Sequence, residues 1–207
     1  MPKKISSIDP VWNRLHKNGW GKYPSESLVR FLCRYKNNTK DFENKNRILD
    51  LGCGGGANTK LMVNEGFRVH ALDGAAEAIK NAKKNVKSRQ AKFFVSDFLN
   101  LGEVCDDNYF DLVCDNFSIY ANSIDHIKQI LFLVHKILKH DGLFYSAVFS
   151  NQTTPFKNRG TAQYFTASAV KKLYGQYFQV LSLDRLMYTE FDRQRTIDEF
   201  ILICKKR

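Results

Sequence analysis

No stretch of this chain stays apolar long enough to cross a bilayer. The basic start, Met1-Pro2-Lys3-Lys4, leads into no apolar segment, so no secretory signal is expected. Five cysteines are scattered without a C-x-x-C pair. That argues against a zinc ribbon or a disulfide framework and predicts a reducing, cytoplasmic setting. His16, His70, His135 and His140 show no ligand spacing, so no metal is expected. Internal repeats and low-complexity tracts are absent. Acids are scarce: 21 Asp and Glu stand against 32 Lys and Arg, a net charge of +11. Such an excess admits a nucleic-acid or acidic partner. The bases are spread along the chain, however. Their densest run, Lys80 to Arg89, falls on the expected exposed face of a helix, with no aromatic interleaving. Nucleic acid is therefore the less favoured partner.

What is present suffices for one sizeable core: 207 residues, 43% of them hydrophobic. Residues 1–44 read as an N-terminal helical extension and 45–207 as the main domain. Trp12, Trp20 and Tyr23 in the extension are candidates for a lid. Ser25 is placed to cap a helix through about Tyr35, and a polar linker follows from Asn37 to Asn46. Five strands are then predicted: Arg47–Leu51, Phe67–Asp73, Ala91–Val95, Tyr109–Asp115 and Leu143–Phe149. Helices are predicted between them. One runs from Asn58 to Glu65 and stops at Gly66. Another runs from Ala75 to Val86. A third carries Ile127, Ile130, Leu131, Val134 and Leu138 on one face. Asp141-Gly142 is expected to turn the chain into the fifth strand. Thr166 is expected to cap a helix to Tyr174, before two last strands at Phe178–Leu186 and Ile197–Cys204. Alternation of this kind implies a doubly wound, mostly parallel α/β sheet, which binds ligands beyond the carboxyl ends of its strands.

Asp50, Asp73, Asp97 and Asp115 all fall at predicted strand ends. Between the first two lies Gly52-Cys53-Gly54-Gly55-Gly56, four glycines in five residues. The loop and the start of the next helix suit close approach of a ligand. The spacing also satisfies a dinucleotide fingerprint, with Asp73 available to a ribose, so NAD stays open as a cofactor. Asp50 argues otherwise. A carboxylate at the loop entrance repels a pyrophosphate and suits S-adenosylmethionine, whose methionine end carries an ammonium and a sulfonium.

On these residues the chain resembles the class I S-adenosylmethionine-dependent methyltransferases, well over residues 45–150 and in architecture beyond. Ile48 to Gly56 is similar to the family's first motif and Ala71-Leu72-Asp73 to its second. Ser96-Asp97-Phe98 is similar to its adenine segment, and Phe110 to Asn116 to its fourth motif. Ile137 to Leu143 is similar to the turn before its fifth strand. The resemblance implies a three-layer, Rossmann-like, mostly parallel seven-stranded sheet with an antiparallel C-terminal strand. It implies S-adenosylmethionine as cofactor, held by Asp50, Gly52, Cys53, Gly54, Gly56, Asp73, Gly74, Asp97, Phe98 and Asp115. The chain departs from the family pattern in three places. Gly74-Ala75 follows Asp73, where many relatives have a serine. No proline precedes Gly142. Tyr120 stands near the place of a common histidine.

Methyl transfer from a sulfonium needs alignment and exclusion of water, with a base where the acceptor is a hydroxyl. Asp115, Tyr120 and His126 are the catalytic candidates. Arg159, in the polar segment from Asn151 to Phe165, is a candidate for an anionic substrate group. The favoured expectation is a small-molecule methyltransferase of the stand-alone bacterial type, acting on a sugar, a lipid precursor or another metabolite. RNA or protein methylation is the alternative, although Asp115-Asn116-Phe117-Ser118 lacks the prolines of one base-methylating type. An NAD-binding oxidoreductase is the further alternative.

Overall fold

The computed structural model describes residues 11–17, 21–155, 162–191 and 194–207. Trp20 and Arg159 lie outside the described residues. Seven strands, β1 (Arg47–Leu51), β2 (Arg68–Asp73), β3 (Ala91–Val95), β4 (Phe110–Asn116), β5 (Leu138–Phe149), β6 (Gln179–Glu190) and β7 (Arg195–Lys205), are hydrogen-bonded in the order β3-β2-β1-β4-β5-β7-β6. Among the first five, β1 runs parallel to β2, β2 to β3, and β4 to β5. The last two strands, β6 and β7, are antiparallel to each other, and β7 is antiparallel to β5. This is the expected mostly parallel α/β sheet with an antiparallel C-terminal strand. The chain divides into two compact units, residues 1–106 and 107–207.

The first unit is a β-α-β-α-β run preceded by two helices, α1 (Val11–Lys17) and α2 (Glu26–Asn38). Strands β1 (Arg47–Leu51) and β3 (Ala91–Val95) begin and end where the sequence places them. Between them come α3 (Ala57–Asn64), β2 (Arg68–Asp73) and α4 (Ala76–Asn85). Ile48, Leu49 and Leu51 are fully buried, and the edge strand β3 leaves Val95 55% exposed. That contrast follows from position, since an outer strand has a neighbour on one side only. α4 turns Ala78, Ile79 and Ala82 inward and its lysines outward. The unit closes with a short 3-10 turn at Phe98–Asn100 and α5 (Leu101–Val104).

The second unit holds β4 (Phe110–Asn116), a 3-10 turn at Ile119–Ala121, α6 (Ile124–Ile137), β5 (Leu138–Phe149), α7 (Ala167–Tyr174), β6 (Gln179–Glu190) and β7 (Arg195–Lys205). Ser123 and Thr166 cap α6 and α7 through their hydroxyls, which accept from His126 N and Ala169 N. The expected turn at Asp141-Gly142 is corrected. β5 already starts at Leu138, and the pair sits inside the strand, where the register against β4 shifts. Asp141 takes a left-handed φ of 62° and absorbs the extra length as a bulge. Lys205 Nζ at 2.7 Å and His140 Nδ1 at 3.0 Å meet its carboxylate.

Candidate active site

In the first unit the glycine loop is built on backbone bonds. Gly52 N and Cys53 N both donate to Leu72 O, at 2.8 and 3.0 Å, and Gly56 N closes on Cys53 O at 3.0 Å. Two glycines are required by space as well as by conformation. Gly54 has φ 53°, and a Cβ there would meet the His16 ring at 3.1 Å. Gly56 has φ 84°, and its Cβ would lie 3.0 Å from Ala82 in α4. Small Ala82 is thus the counterpart of the glycine, a pairing invisible to a motif read along the chain.

Asp73 latches this loop. Its Oδ2 accepts from Gly54 N at 2.9 Å and its Oδ1 from Ala75 N at 2.8 Å. Burial raises its pKa above the usual carboxylate value, against the pull of those two amides and of His16. His16, buried in α1, has its pKa lowered by burial and supported by Asp73. The sequence gives His16 no metal partners and places it among the aromatics of the N-terminal segment. Its relation to the loop depends on α1 meeting α4, where Asn81 Nδ2 donates to His16 O at 2.8 Å and Glu77 N to Asn13 Oδ1 at 3.2 Å.

Asp50 is buried within β1, and its Oδ2 accepts from Thr59 Oγ1 of α3 at 2.5 Å. Cys53 is buried beside the two acids. Desolvation, then Asp50, then Asp73 push its thiol well above the ordinary value. Asp97 is buried and caps the following 3-10 turn, accepting from Leu99 N at 2.9 Å. Phe98 and Gly74 are half-buried.

In the second unit Asp115 is fully buried near the end of β4. Its Oδ1 accepts from Ser118 N at 2.9 Å and Ile119 N at 3.0 Å, and its Oδ2 from Ser146 Oγ at 2.7 Å. Ser146 Oγ lies 2.8 Å from the Tyr174 hydroxyl. Burial, resisted by those hydrogen bonds, lifts the Asp115 carboxyl to about 6. The carboxylate thereby fixes the turn that carries Tyr120, which is itself fully buried. Phe149 stacks on Phe117 at 4.5 Å and meets Tyr120 edge-on at 4.9 Å. His126 is half-buried in the first turn of α6. Two neighbours stand in motifs read from the sequence but carry no site role there. Asn116 keeps a buried Oδ1 with no partner among the described residues, and Phe117 holds a left-handed φ of 59°. An unsatisfied acceptor and a strained bulky residue beside each other are marks of a functional turn.

Residues 42–195 match the methyltransferase domain family. The chain belongs to that family. This methyltransferase domain is 32% identical over 98 residues to an uncharacterized methyltransferase of Synechocystis, a match covering 47% of this chain and 44% of that protein. It is 27% identical over 159 residues to the human mitochondrial arginine-hydroxylase NDUFAF5, covering 73% of this chain and 44% of the relative. The methyltransferase domain spans about half the length of the curated relatives it matches. A solved SAM-dependent methyltransferase from Anabaena variabilis superposes with a TM-score of 0.73 at 18% identity, covering 100% of this chain and 99% of that one. The Burkholderia thailandensis 1,6-didemethyltoxoflavin-N1-methyltransferase, solved with 1,6-didemethyltoxoflavin and S-adenosylhomocysteine bound, gives 0.69 at 19% identity. That match covers 87% of this chain and 77% of the other. These likenesses establish a Rossmann-like methyltransferase fold.

Proposed function

We propose that the chain binds S-adenosylmethionine and transfers its methyl group to a small-molecule acceptor in the cytoplasm. The observation that carries this reading is the pair of carboxylates at the glycine loop, Asp50 and Asp73, which both act on the buried Cys53 between them. A cationic methionine end gains from that field, whereas a pyrophosphate loses. S-adenosylmethionine would supply a methyl group activated by its positive sulfonium, whose sulfur leaves as the neutral thioether of S-adenosylhomocysteine.

The chain's residues hold and align. Asp73 takes the ribose hydroxyls while it latches Gly54 and Ala75. Gly52, Cys53, Gly54, Gly56 and Gly74 let the backbone come close. Asp97 and Phe98 flank the adenine. Asp50, steadied by Thr59, sets the charge at the loop. Asp115 serves as a positioning residue for the turn bearing Tyr120, and the orphan oxygen of Asn116 is open to a donor on cofactor or acceptor. His126, the least enclosed of the three catalytic candidates, is the base for a hydroxyl acceptor. The ligands of the Burkholderia enzyme support a small acceptor.

Calorimetry with S-adenosylhomocysteine and with NAD tests the reading. S-adenosylhomocysteine is expected to bind and NAD not. Asp73→Ala is expected to weaken binding by about 5- to 150-fold, the equivalent of roughly 1–3 kcal/mol of lost hydrogen bonding. Thermal melts confirm that the variant is folded. Binding of NAD alone would overturn the assignment.

A further inference from the structure

Gly55 and Gly56 of the glycine loop also line a pocket of about 440 Å³ in the first unit. Its other walls include His16 and Lys17 at the end of α1, Lys22, Lys60 of α3, and Asn81 and Asn85 of α4. Neither Asp50 nor Asp73 is among the lining residues, and no other acid is.

Some lysines elsewhere in the fold pair with acids, as Lys36 does with Glu65, Lys80 with Glu77 and Lys139 with Asp111. Lys17, Lys22 and Lys60 make no ion pair among the described residues. Three lysines share the wall of one concavity and repel one another, and no acid among the described residues lines it to offset them. The walls are tied in place, because Asn81 Nδ2 donates to His16 O at 2.8 Å and Asn85 Nδ2 to Gly55 O at 2.9 Å. α4 thus holds both the end of α1 and the glycine loop. A multivalent anion would relieve the repulsion in a preformed cradle, with three mobile donors able to converge on its oxygens.

We infer that this pocket binds a phosphate-type oxyanion, free or as the terminal group of a small metabolite, at a site that borders the proposed methyl-donor site through Gly56 and excludes Asp50 and Asp73. Inorganic pyrophosphate and ADP are the probes, each compared with sodium chloride at matched ionic strength. The readouts are the melting temperature and equilibrium dialysis. At least one probe is expected to raise the melting temperature where chloride does not. Which probe binds tighter distinguishes a free anion from a nucleotide-borne one.

Lys60→Gln is expected to weaken dialysis binding about 3- to 10-fold. The triple Lys17→Gln, Lys22→Gln, Lys60→Gln variant is expected to abolish it. A control triple outside the pocket, Lys83→Gln, Lys84→Gln, Lys87→Gln, carries the same charge change and is expected to bind as wild type. Equal losses in the two triples would reduce the effect to net charge and overturn the site. So would no effect beyond chloride, or mutual exclusion between pyrophosphate and S-adenosylhomocysteine. The single variant keeps the test readable should the triple variant fail to fold.

Discussion

Asp115 is a carboxylate that accepts from two backbone amides and one hydroxyl, and it is held where water does not reach. Desolvation outweighs the donors, so its folded value of about 6 lies above the ordinary 3.8. The sign follows from linkage. The folded state holds the proton more tightly than the unfolded chain, so this contribution is fully present below pH 4 and is lost as pH rises toward 6. A shift of two units corresponds to about 3 kcal/mol. Between pH 4 and pH 7 the wild type is expected to lose roughly 2–3 kcal/mol relative to Asp115→Asn, read from urea unfolding at each pH. Parallel pH curves for the two proteins would contradict the protonation assigned to the buried carboxyl. At this scale the site was only partly legible in the sequence. Asp115 could be picked out because an acid at a strand end is unusual in an apolar run. Ser146 and Tyr174 could not, since they lie 31 and 59 positions further on and meet Asp115 only through folding.

At the scale of elements, the glycine loop packs against α4 with no room for a side chain at Gly56. A methyl group at Gly56 would press on Ala82 at 3.0 Å from a backbone that L-residues seldom adopt. Gly56→Ala is expected to cost about 2–4 kcal/mol, from strain and overpacking together. Gly102 in α5 has open space around its missing Cβ. Gly102→Ala there is expected to be neutral or to stabilise by about 0.5 kcal/mol, because a helix favours alanine. Thermal unfolding of the two variants separates space from composition, and equal losses would refute the close approach. β1 and β3 were legible to the residue because apolar runs with sharp polar borders define them. The bulge at Asp141 was not. The dipeptide Asp-Gly carries the same signal whether the chain reverses or merely absorbs a residue within a strand. The pairing partner decides between those outcomes, and that partner is distant in sequence. α1 had little periodicity to announce it, and its anchoring to α4 rests on side chains 64 and 65 positions apart.

For the molecule as a whole, thiol chemistry gives a compact check on the fold. All five cysteines are free. Cys33 is exposed, while Cys53, Cys105, Cys114 and Cys204 are buried. One thiol is expected to react rapidly with a disulfide reagent in the native protein and five in denaturant. Fast reaction of Cys53 would mean that the glycine loop opens. The raised pKa of that thiol adds a chemical barrier to the steric one. No helix among the described residues is long and apolar enough to cross a membrane.

The double latch of Asp73 on Gly54 N and Ala75 N makes those two amides spectroscopic witnesses. A ligand that draws on the same carboxylate takes electron density from both hydrogen bonds at once. Their proton shifts should then move together, in one direction, and in proportion to occupancy. A single resonance pair would report whether anything has engaged the acid, before the identity of the methyl acceptor is known.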